Sequence, residues 1–204
     1  MLVDMISGSQ NWFGFASASL ISCFIGISLW LTNRSKQELN LGLKEAFLLT
    51  NFAWVLSGIF GALPFVFSDL GLSFTDAIFE SISGITTTGS TILINIELAS
   101  PGIILWRALL QWLGGIGIIV MALAILPTLS VGGMQLFKTE TYEASDNAIP
   151  RARQLAGGIF AVYATLTFIW SCMLWIAGMT SFDALIHSMT TLATGGYSSK
   201  TSSI

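Results

Sequence analysis

Charged residues are scarce in this chain. Lys, Arg, Asp and Glu make up 9% of its 204 residues, with eight basic and eleven acidic side chains, whereas 53% of the residues are hydrophobic. Soluble domains carry about 25% charged residues, so this composition excludes a soluble globule. The seven Trp and fourteen Phe residues fit membrane-interface belts and lipid-facing surface, not the stacking of nucleic-acid bases. We therefore predict an integral membrane protein that contacts the lipid bilayer and binds no nucleic acid.

Cysteine and histidine are also rare, which limits metal and catalytic chemistry. Cys23 and Cys172 lie far apart within apolar runs, and we expect both to be buried apolar residues rather than a disulfide or a metal site. The apolar runs contain no Ser/His pair, no paired aspartates and no cluster of metal ligands, so an intramembrane enzyme is the least favoured function. We expect no catalytic residue and no organic cofactor.

Four long apolar runs fall at residues 12–32, 46–67, 101–127 and 153–178. Each reaches the roughly 20 residues that a spanning helix needs, so the sequence predicts four transmembrane helices. Six of the eight basic residues lie in the first and third loops, which places those loops in the cytoplasm; they are Arg34, Lys36, Lys44, Lys138, Arg151 and Arg153. The opposite face is then an acidic outer mouth that favours cations, formed by Asp4, Asp69, Asp76, Glu80, Glu97 and Asp183.

One short pattern occurs twice between the apolar runs. The segment 73–89 reappears at 180–196 without a gap, since 183 − 76 and 196 − 89 both equal 107, and this is an internal duplication. Each copy begins with a hydroxyl residue followed three positions later by aspartate. In this pattern the hydroxyl caps a helix start and the carboxylate accepts from a free backbone N–H. These pore-helix caps are Ser73, Asp76, Thr180 and Asp183.

Each copy continues as a short helix that ends in a Thr/Gly turn. About a dozen residues precede the turn, half of the bilayer core at about 1.5 Å per residue, so we predict re-entrant half-helices at 73–84 and 180–190. The turns at 85–91 and 191–198 hold glycine, which reaches positive φ, and threonine, which adds a hydroxyl oxygen. Such strands can aim several carbonyl oxygens at one ion, and the negative ends of the half-helix dipoles favour a cation there.

Two charges lie deep in the apolar sequence. Glu80 falls in the middle of the first half-helix, and Arg107 lies near the outer end of the following run. Charges at such depth are costly and are usually paired or functional, so we expect a structural ion pair, with direct contact to ions as the alternative. His187 occupies the position of Glu80 in the second copy; a structural histidine is favoured and a pH sensor is the alternative. The glycines within 114–117 indicate close helix packing or a hinge.

Several motifs in fixed order resemble those of a known family of membrane proteins. They are Phe79–Gly89 (FESISGITTTG), Trp106–Ile119 (WRALLQWLGGIGII), Ala124–Pro127 (AILP) and Gly132–Leu136 (GGMQL). From about residue 40 to its end, the chain resembles the TrkH/KtrB superfamily of potassium transporters, and it is most similar to the TrkH branch.

The resemblance implies an all-α membrane protein built from span/re-entrant pore helix/span units of the potassium-channel type, with four units around one pore. It implies uptake of K⁺ across a bacterial inner membrane, usually by a dimer with a cytoplasmic nucleotide-binding partner of the TrkA type. The preference for K⁺ over Na⁺, and the choice between a channel-like mechanism and symport with H⁺ or Na⁺, stay open. K⁺ is the only metal ion implied, and its filter oxygens would come from Thr87, Thr88, Gly89, Thr194, Gly195 and Gly196.

The chain is organised as one and a half such units. An N-terminal span and cytoplasmic linker occupy 1–45, the first unit 46–127, a second linker 128–152 and an incomplete second unit 153–204. Compared with the family, the third and fourth units are missing, and the first family helix is absent or truncated. We therefore expect a fragment or an interrupted gene product that cannot close a pore by itself. A non-conducting accessory membrane subunit is the alternative function.

Overall fold

The computed structural model describes residues 1–9, 11–34, 43–125 and 148–202 of the chain. These residues form no strand and seven α-helices: α1 (Leu2–Ile6), α2 (Trp12–Thr32), α3 (Leu43–Val66), α4 (Phe74–Ile85), α5 (Pro101–Ile125), α6 (Ala148–Ile176) and α7 (Ser181–Leu192). A short 3-10 helix, Ile96–Leu98, lies between α4 and α5. Residues 35–42 and most of the linker predicted at 128–152, with Lys36 and Lys138, lie outside the described residues.

Four of the helices are long and apolar enough to cross a membrane. Their spanning portions are Trp12–Thr32, Phe47–Val66, Pro101–Met121 and Ala156–Ile176, which confirms the four predicted spans and the all-α membrane fold. α6 begins at Ala148, earlier than the predicted residue 153, and it carries the backbone of Arg151 and Arg153, which the sequence assigns to a loop. Pro150 stands in the first turn of α6, where its missing N–H removes no intrahelical bond, so the helix can start before the apolar run.

α4 and α7 are the two re-entrant half-helices, each twelve residues long. Ser73 Oγ accepts a hydrogen bond from the Asp76 N–H at 3.2 Å, and Thr180 Oγ1 accepts one from the Asp183 N–H at 3.1 Å. Each hydroxyl also donates to the carboxylate of the same aspartate, at 2.7 and 2.8 Å. The sequence pattern predicts that this carboxylate accepts from the backbone of the capping residue. Instead, the carboxylate accepts from the hydroxyl of the capping residue, whose proton lies within hydrogen-bonding distance.

α5 lies at the centre of the described fold. In an 18-residue apolar stretch of each span, 44% of the residues are buried in α5, against 11% in α2 and in α6, because α5 contacts α3, α4, α6 and α7. The hydrophobic core around α5 includes Ala62, Phe65, Ala77, Ile103, Ala108, Leu110, Ile186 and Met189. Both half-helices therefore share one buried partner helix.

The two cysteines lie on the lightly packed helices α2 and α6. Cys23 is exposed and Cys172 is partly exposed, and both are free thiols. The prediction that they are buried is therefore wrong for this chain. Within α2 the buried residues are Gly14 and Ala18, and Gly14 lies against the backbone of Phe67 at the end of α3. Cys23 lies on the side of α2 opposite Gly14, and its side chain is exposed there.

Asp4 belongs to α1, a helix that no sequence pattern indicates. Its side chain is fully buried, and Oδ1 accepts a hydrogen bond from the Gly102 N–H at 2.8 Å. It thereby satisfies one of the free backbone donors at the start of α5. Glu80 is also fully buried. The predicted acidic mouth therefore loses two of its members, because both carboxylates bind protein donors instead of facing solvent.

Two glycines of α5 allow neighbouring elements to approach closely. A Cβ at Gly114 would overlap the carbonyl oxygen of Ile85, at the end of α4. A Cβ at Gly115 would lie 2.7 Å from the Tyr163 hydroxyl oxygen and 3.2 Å from the Ala193 Cβ, just beyond α7. The close packing predicted from the glycines of 114–117 is thus confirmed, and it occurs at the ends of both half-helices.

Gly114→Ala should destabilise the chain, because rigid backbone occupies the place of the added methyl group. Overpacking of this kind costs about 1–3 kcal/mol, and we expect a loss of that size in the free energy of unfolding, followed by circular dichroism in detergent micelles. Gly26→Ala is the matched control, since Gly26 is also helical and has nothing within 4 Å of the added position. Unchanged stability of Gly114→Ala would contradict the close contact with α4.

Candidate functional site

The two Thr/Gly turns leave their half-helices through the same backbone hydrogen bonds. After α4, the N–H groups of Thr87 and Thr88 donate to the carbonyl oxygens of Gly84 and Ser83, at 2.9 and 3.0 Å. Adding 107 to each number gives the bonds after α7, again at 2.9 and 3.0 Å. Both are Schellman-type helix ends, in which the first residue beyond the cap is left-handed.

Threonine occupies the left-handed position in both turns. φ is +58° at Thr87 and +57° at Thr194. A β-branched residue at positive φ is rare, and holding it there costs about 1–3 kcal/mol. The sequence assigns positive φ to the glycines; Gly89 and Gly196 have it, at +80° and +73°, but Gly195 does not. Two copies keep the same strained geometry, which indicates that the turn does more than end a helix.

The turns leave carbonyl oxygens without protein partners. Within the described part of the chain, no hydrogen bond is donated to the carbonyl oxygens of Thr87, Thr88, Gly89, Thr194, Gly195 and Gly196. The turns also meet, since the Gly195 carbonyl oxygen fills the place that a Cβ at Gly89 would take. The C-terminal ends of both half-helices lie at these turns, so their dipoles add negative potential there. Such an arrangement of oxygens suits a dehydrated cation.

A buried ion pair braces the first turn. Arg107 Nε donates to Glu80 Oε1 at 2.7 Å, and both side chains are almost fully buried. The same carboxylate accepts from the Thr91 hydroxyl at 2.9 Å and from the Ile92 N–H at 3.1 Å, so α4 holds the strand that follows its own turn. Arg107 also donates from Nη1 to the Ser198 carbonyl oxygen at 3.3 Å. The structure brings together the two charges expected to pair, and protein groups occupy both.

Tyr197 joins the two turns, and sequence reasoning missed it. The Arg107 guanidinium carbon lies 4.0 Å from the centre of its ring. Its hydroxyl lies 3.0 Å from the Glu80 carbonyl oxygen and 3.2 Å from the Ser90 carbonyl oxygen. Burial raises the pKa of Tyr197, so the hydroxyl keeps its proton and remains a donor. The available signal was that an aromatic residue replaces Ser90 at the matching position of the second copy.

The second half-helix has a different brace at the position of the ion pair. His187, which replaces Glu80, is buried, and its Nε2 lies 3.4 Å from the Ser199 hydroxyl. That hydroxyl donates to Asp183 Oδ1 at 2.6 Å, and this hydrogen bond is the main cause that lowers the pKa of Asp183. The histidine therefore contacts a network within the protein, as a structural residue does.

The segments outside the two turns are tied together by Glu97 and Thr201. The Glu97 carboxylate accepts from the Thr201 hydroxyl at 2.7 Å and from its N–H at 2.8 Å. These bonds lower the pKa of Glu97, the hydroxyl bond most. The Thr201 hydroxyl oxygen also accepts from the Ile96 N–H at 3.1 Å. The loop after the first turn is thus joined to the strand after the second.

Known proteins are similar to this chain in sequence and in fold. The profile of the TrkH family, described as a cation transport protein, matches residues 12–204. The chain belongs to the TrkH family. The Trk system potassium uptake protein TrkI of Halomonas elongata is 48% identical over 159 residues, which are 78% of this chain and 32% of that protein. The Trk system potassium uptake protein TrkH of Escherichia coli K12 is 44% identical over 100% of this chain and 42% of its own length.

A solved structure shows the same arrangement of helices. The crystal structure of the potassium transporter TrkH from Vibrio parahaemolyticus matches with a TM-score of 0.84 and 36% identity, over 97% of this chain and 39% of that one. The resemblance drawn from the motifs is thereby confirmed, and the chain is a multi-pass membrane protein. This TrkH-family chain spans less than half the length of these three relatives.

In this TrkH-family chain, α5 presents a different side to each repeat. Residues spaced by four lie on one side of a helix. The side toward the second repeat carries Gln111 and Gly115, which contact Tyr197 and Ala193. Arg107, on the same side, contacts Ser198 and also Glu80 of the first repeat. The side toward the first repeat consists of Trp106, Leu110 and Gly114, which contact Gly61, Gly84 and Ile85. One helix therefore sets the positions of both turns.

Glu80→Gln and Arg107→Met should each lower the free energy of unfolding by about 3–5 kcal/mol, because each leaves a buried charge without its partner. The double variant should cost at least about 1 kcal/mol less than the sum of the two. Urea unfolding in detergent micelles measures all three, and Lys200→Met, which removes an exposed charge, is the control. Additive losses would contradict the pairing.

The lowered pKa of Asp183 predicts a pH-dependent part of the stability. The ionised carboxylate stabilises the fold above its ordinary pKa of 3.8, and this contribution is lost as the pH falls through the lower folded-state pKa. Ser199→Ala removes the main cause of the shift, so it should lower the melting temperature at about pH 6 and make the loss on acidification to about pH 3 smaller. Ser202→Ala, at an exposed position, is the control. Parallel acid profiles for wild type and Ser199→Ala would contradict this role.

Proposed function

We propose that this chain supplies two strands of a potassium filter in a Trk-type potassium uptake system. One observation carries the proposal: two turns with the same strained backbone meet at the ends of two half-helices and leave six carbonyl oxygens unpaired. These oxygens belong to Thr87, Thr88, Gly89, Thr194, Gly195 and Gly196. The choice of ion is supported by the relatives, which are named as potassium uptake proteins and as a potassium transporter.

The proposed mechanism is exchange of the water around K⁺ for protein oxygens. A filter works when oxygens of fixed position replace the hydration shell of the ion. The left-handed residues Thr87 and Thr194 redirect the backbone after each half-helix. The Glu80–Arg107 pair and Tyr197 hold the strands through contacts with other protein groups. Because these supports already bind protein groups, the oxygens need little rearrangement when the ion arrives.

Two strands line only part of a ring. Potassium-channel filters are formed by four such strands, and the described residues provide two. We propose that two further strands of the same kind complete the ring within a longer subunit. The lengths of the relatives support this, since this chain covers 42% of TrkH from Escherichia coli.

We propose a bacterial inner membrane as the location, with the half-helix loops outside and the basic loops in the cytoplasm. Exposed Arg34 and Lys44 lie at one end of the spans, and exposed Asp69 and Glu97 lie at the other; basic residues favour the cytoplasmic side. We further propose a homodimer with a cytoplasmic nucleotide-binding subunit of the TrkA type. The names of the relatives as parts of a Trk system support such partners.

The test is K⁺ uptake in Escherichia coli cells that lack their own potassium uptake systems. The chain is expressed alone and as a chimaera in which it replaces the matching segment of Escherichia coli TrkH. We expect no K⁺ uptake from the chain alone, because two strands do not close a ring. The chimaera should restore growth at low external K⁺ concentration. Failure of the chimaera, with correct membrane insertion and a working parent protein, would favour a non-conducting accessory subunit.

Gly196→Ala in the chimaera should lower the K⁺-to-Na⁺ uptake ratio. Adding a side chain at this left-handed position costs about 1–2 kcal/mol, which corresponds to about five- to thirtyfold. Gly71→Ala is a matched control, because both glycines have positive φ, +65° and +73°, and nothing within 4 Å of the added methyl position. Gly71 lies outside the turns, so its variant should keep the ratio. Equal ratios for both variants would contradict the filter assignment.

A further inference from the structure

Gln111 of α5 is a buried carboxamide that the proposed filter does not yet explain. Its side chain is fully buried, and Oε1 accepts a hydrogen bond from the Tyr197 N–H at 3.1 Å. Its Nε2 has no partner among the described residues. A buried amide with one unpaired group makes the folded protein less stable than an apolar side chain of similar volume would. Unsatisfied buried groups of this kind are found mainly at functional positions. The bond to Tyr197 is therefore the contact that accounts for a glutamine here.

The carboxamide fills the space directly behind the second turn. A Cβ at Gly195 would overlap the Gln111 amide and lie 2.6 Å from Oε1, and a Cβ at Gly89 would lie 3.7 Å from Nε2. This explains why glycine stands at 195 although its φ is not positive. The matching residue of the first repeat, Thr88, carries a side chain. At the second turn, the Gln111 amide thus occupies the place that a side chain at 195 would take.

The bond to Tyr197 connects three elements in series. Gln111 on α5 holds the backbone of Tyr197, and the Tyr197 hydroxyl reaches the Ser90 carbonyl oxygen at the end of the first turn. Arg107, one helical turn away on the same side of α5, holds the Ser198 carbonyl oxygen. A shift of the Tyr197 backbone would therefore move the second turn relative to both α5 and the first turn.

We propose that Gln111 is a positioning residue that sets the second turn against the first and thereby fixes the spacing between their carbonyl oxygens. Gln111 acts through Tyr197 and Gly195 and does not itself contact the ion. The consequence for transport rests on the proposed function, because oxygens spaced for K⁺ lose their preference over the smaller Na⁺ when one strand shifts.

The test compares Gln111→Met with Gln111→Glu in the chimaera. Methionine fills a similar volume without an acceptor, whereas glutamate keeps an acceptor oxygen whether ionised or protonated. We expect Gln111→Met to lower the K⁺-to-Na⁺ uptake ratio about fivefold and to speed hydrogen exchange of the Tyr197 amide about fivefold, as loss of one hydrogen bond implies. Gln111→Glu should keep both within about twofold. Ile104→Met changes another buried residue of α5 and should leave both unchanged.

Two results would overturn the inference. Unchanged Tyr197 exchange in Gln111→Met would show that the bond does not hold the second turn. Faster exchange with an unchanged uptake ratio, even with a lower melting temperature, would reduce Gln111 to a structural residue. If the unmodified chimaera takes up no K⁺, the proposed function fails, and Tyr197 exchange in the purified protein then decides by itself whether Gln111 positions the turn.

Discussion

The buried contact between Glu80 and Arg107 fixes the arrangement on which the other elements depend. In a bilayer core no water is available to satisfy a stray charge, so both groups need protein partners. Glu80 binds the Thr91 hydroxyl and the Ile92 N–H, while Arg107 reaches the Ser198 carbonyl oxygen. One ion pair thus sets α4 against α5 and anchors the chain beyond both turns. The carbonyl oxygens that accept no hydrogen bond among the described residues lie between these anchors and the half-helices.

Much of this fold could be predicted because its signals are local. A span is an apolar run of fixed minimum length. The start of each half-helix is indicated by a capping pattern that recurs after 107 residues. Glu80 and Arg107 could be paired because few other charges lie at that depth. The exposure of Cys23 could not be predicted, because an apolar sequence shows that a helix is in the membrane but not which of its faces contacts protein. α2 contacts its neighbours along one side only.

The contacts between the turns could not be predicted, because a repeat offset shows which residues match in sequence but not which residues touch. Gln111 and Tyr197 are 86 residues apart, and Tyr197 and Ser90 are 107 apart. Propensity also misleads at the turns themselves. Glycine is the usual left-handed residue after a helix, so a threonine there is not expected, and Gly195 is easily assigned the wrong reason for being glycine. Its small size serves close approach by Gln111, not positive φ.

The two repeats are equivalent in sequence offset but not in surroundings, because α5 stands once between them and offers a different side to each. The braces differ accordingly. Glu80 pairs with Arg107 in the first repeat, whereas His187 contacts Ser199 in the second. Thr88 has a side chain, whereas at the matching position Gly195 leaves space for the Gln111 amide. The backbone of the turns does not differ: φ at the left-handed threonine is +58° in one and +57° in the other. Different side chains therefore support the same left-handed backbone in the two turns, as expected if the filter proposed above depends on the positions of the carbonyl oxygens.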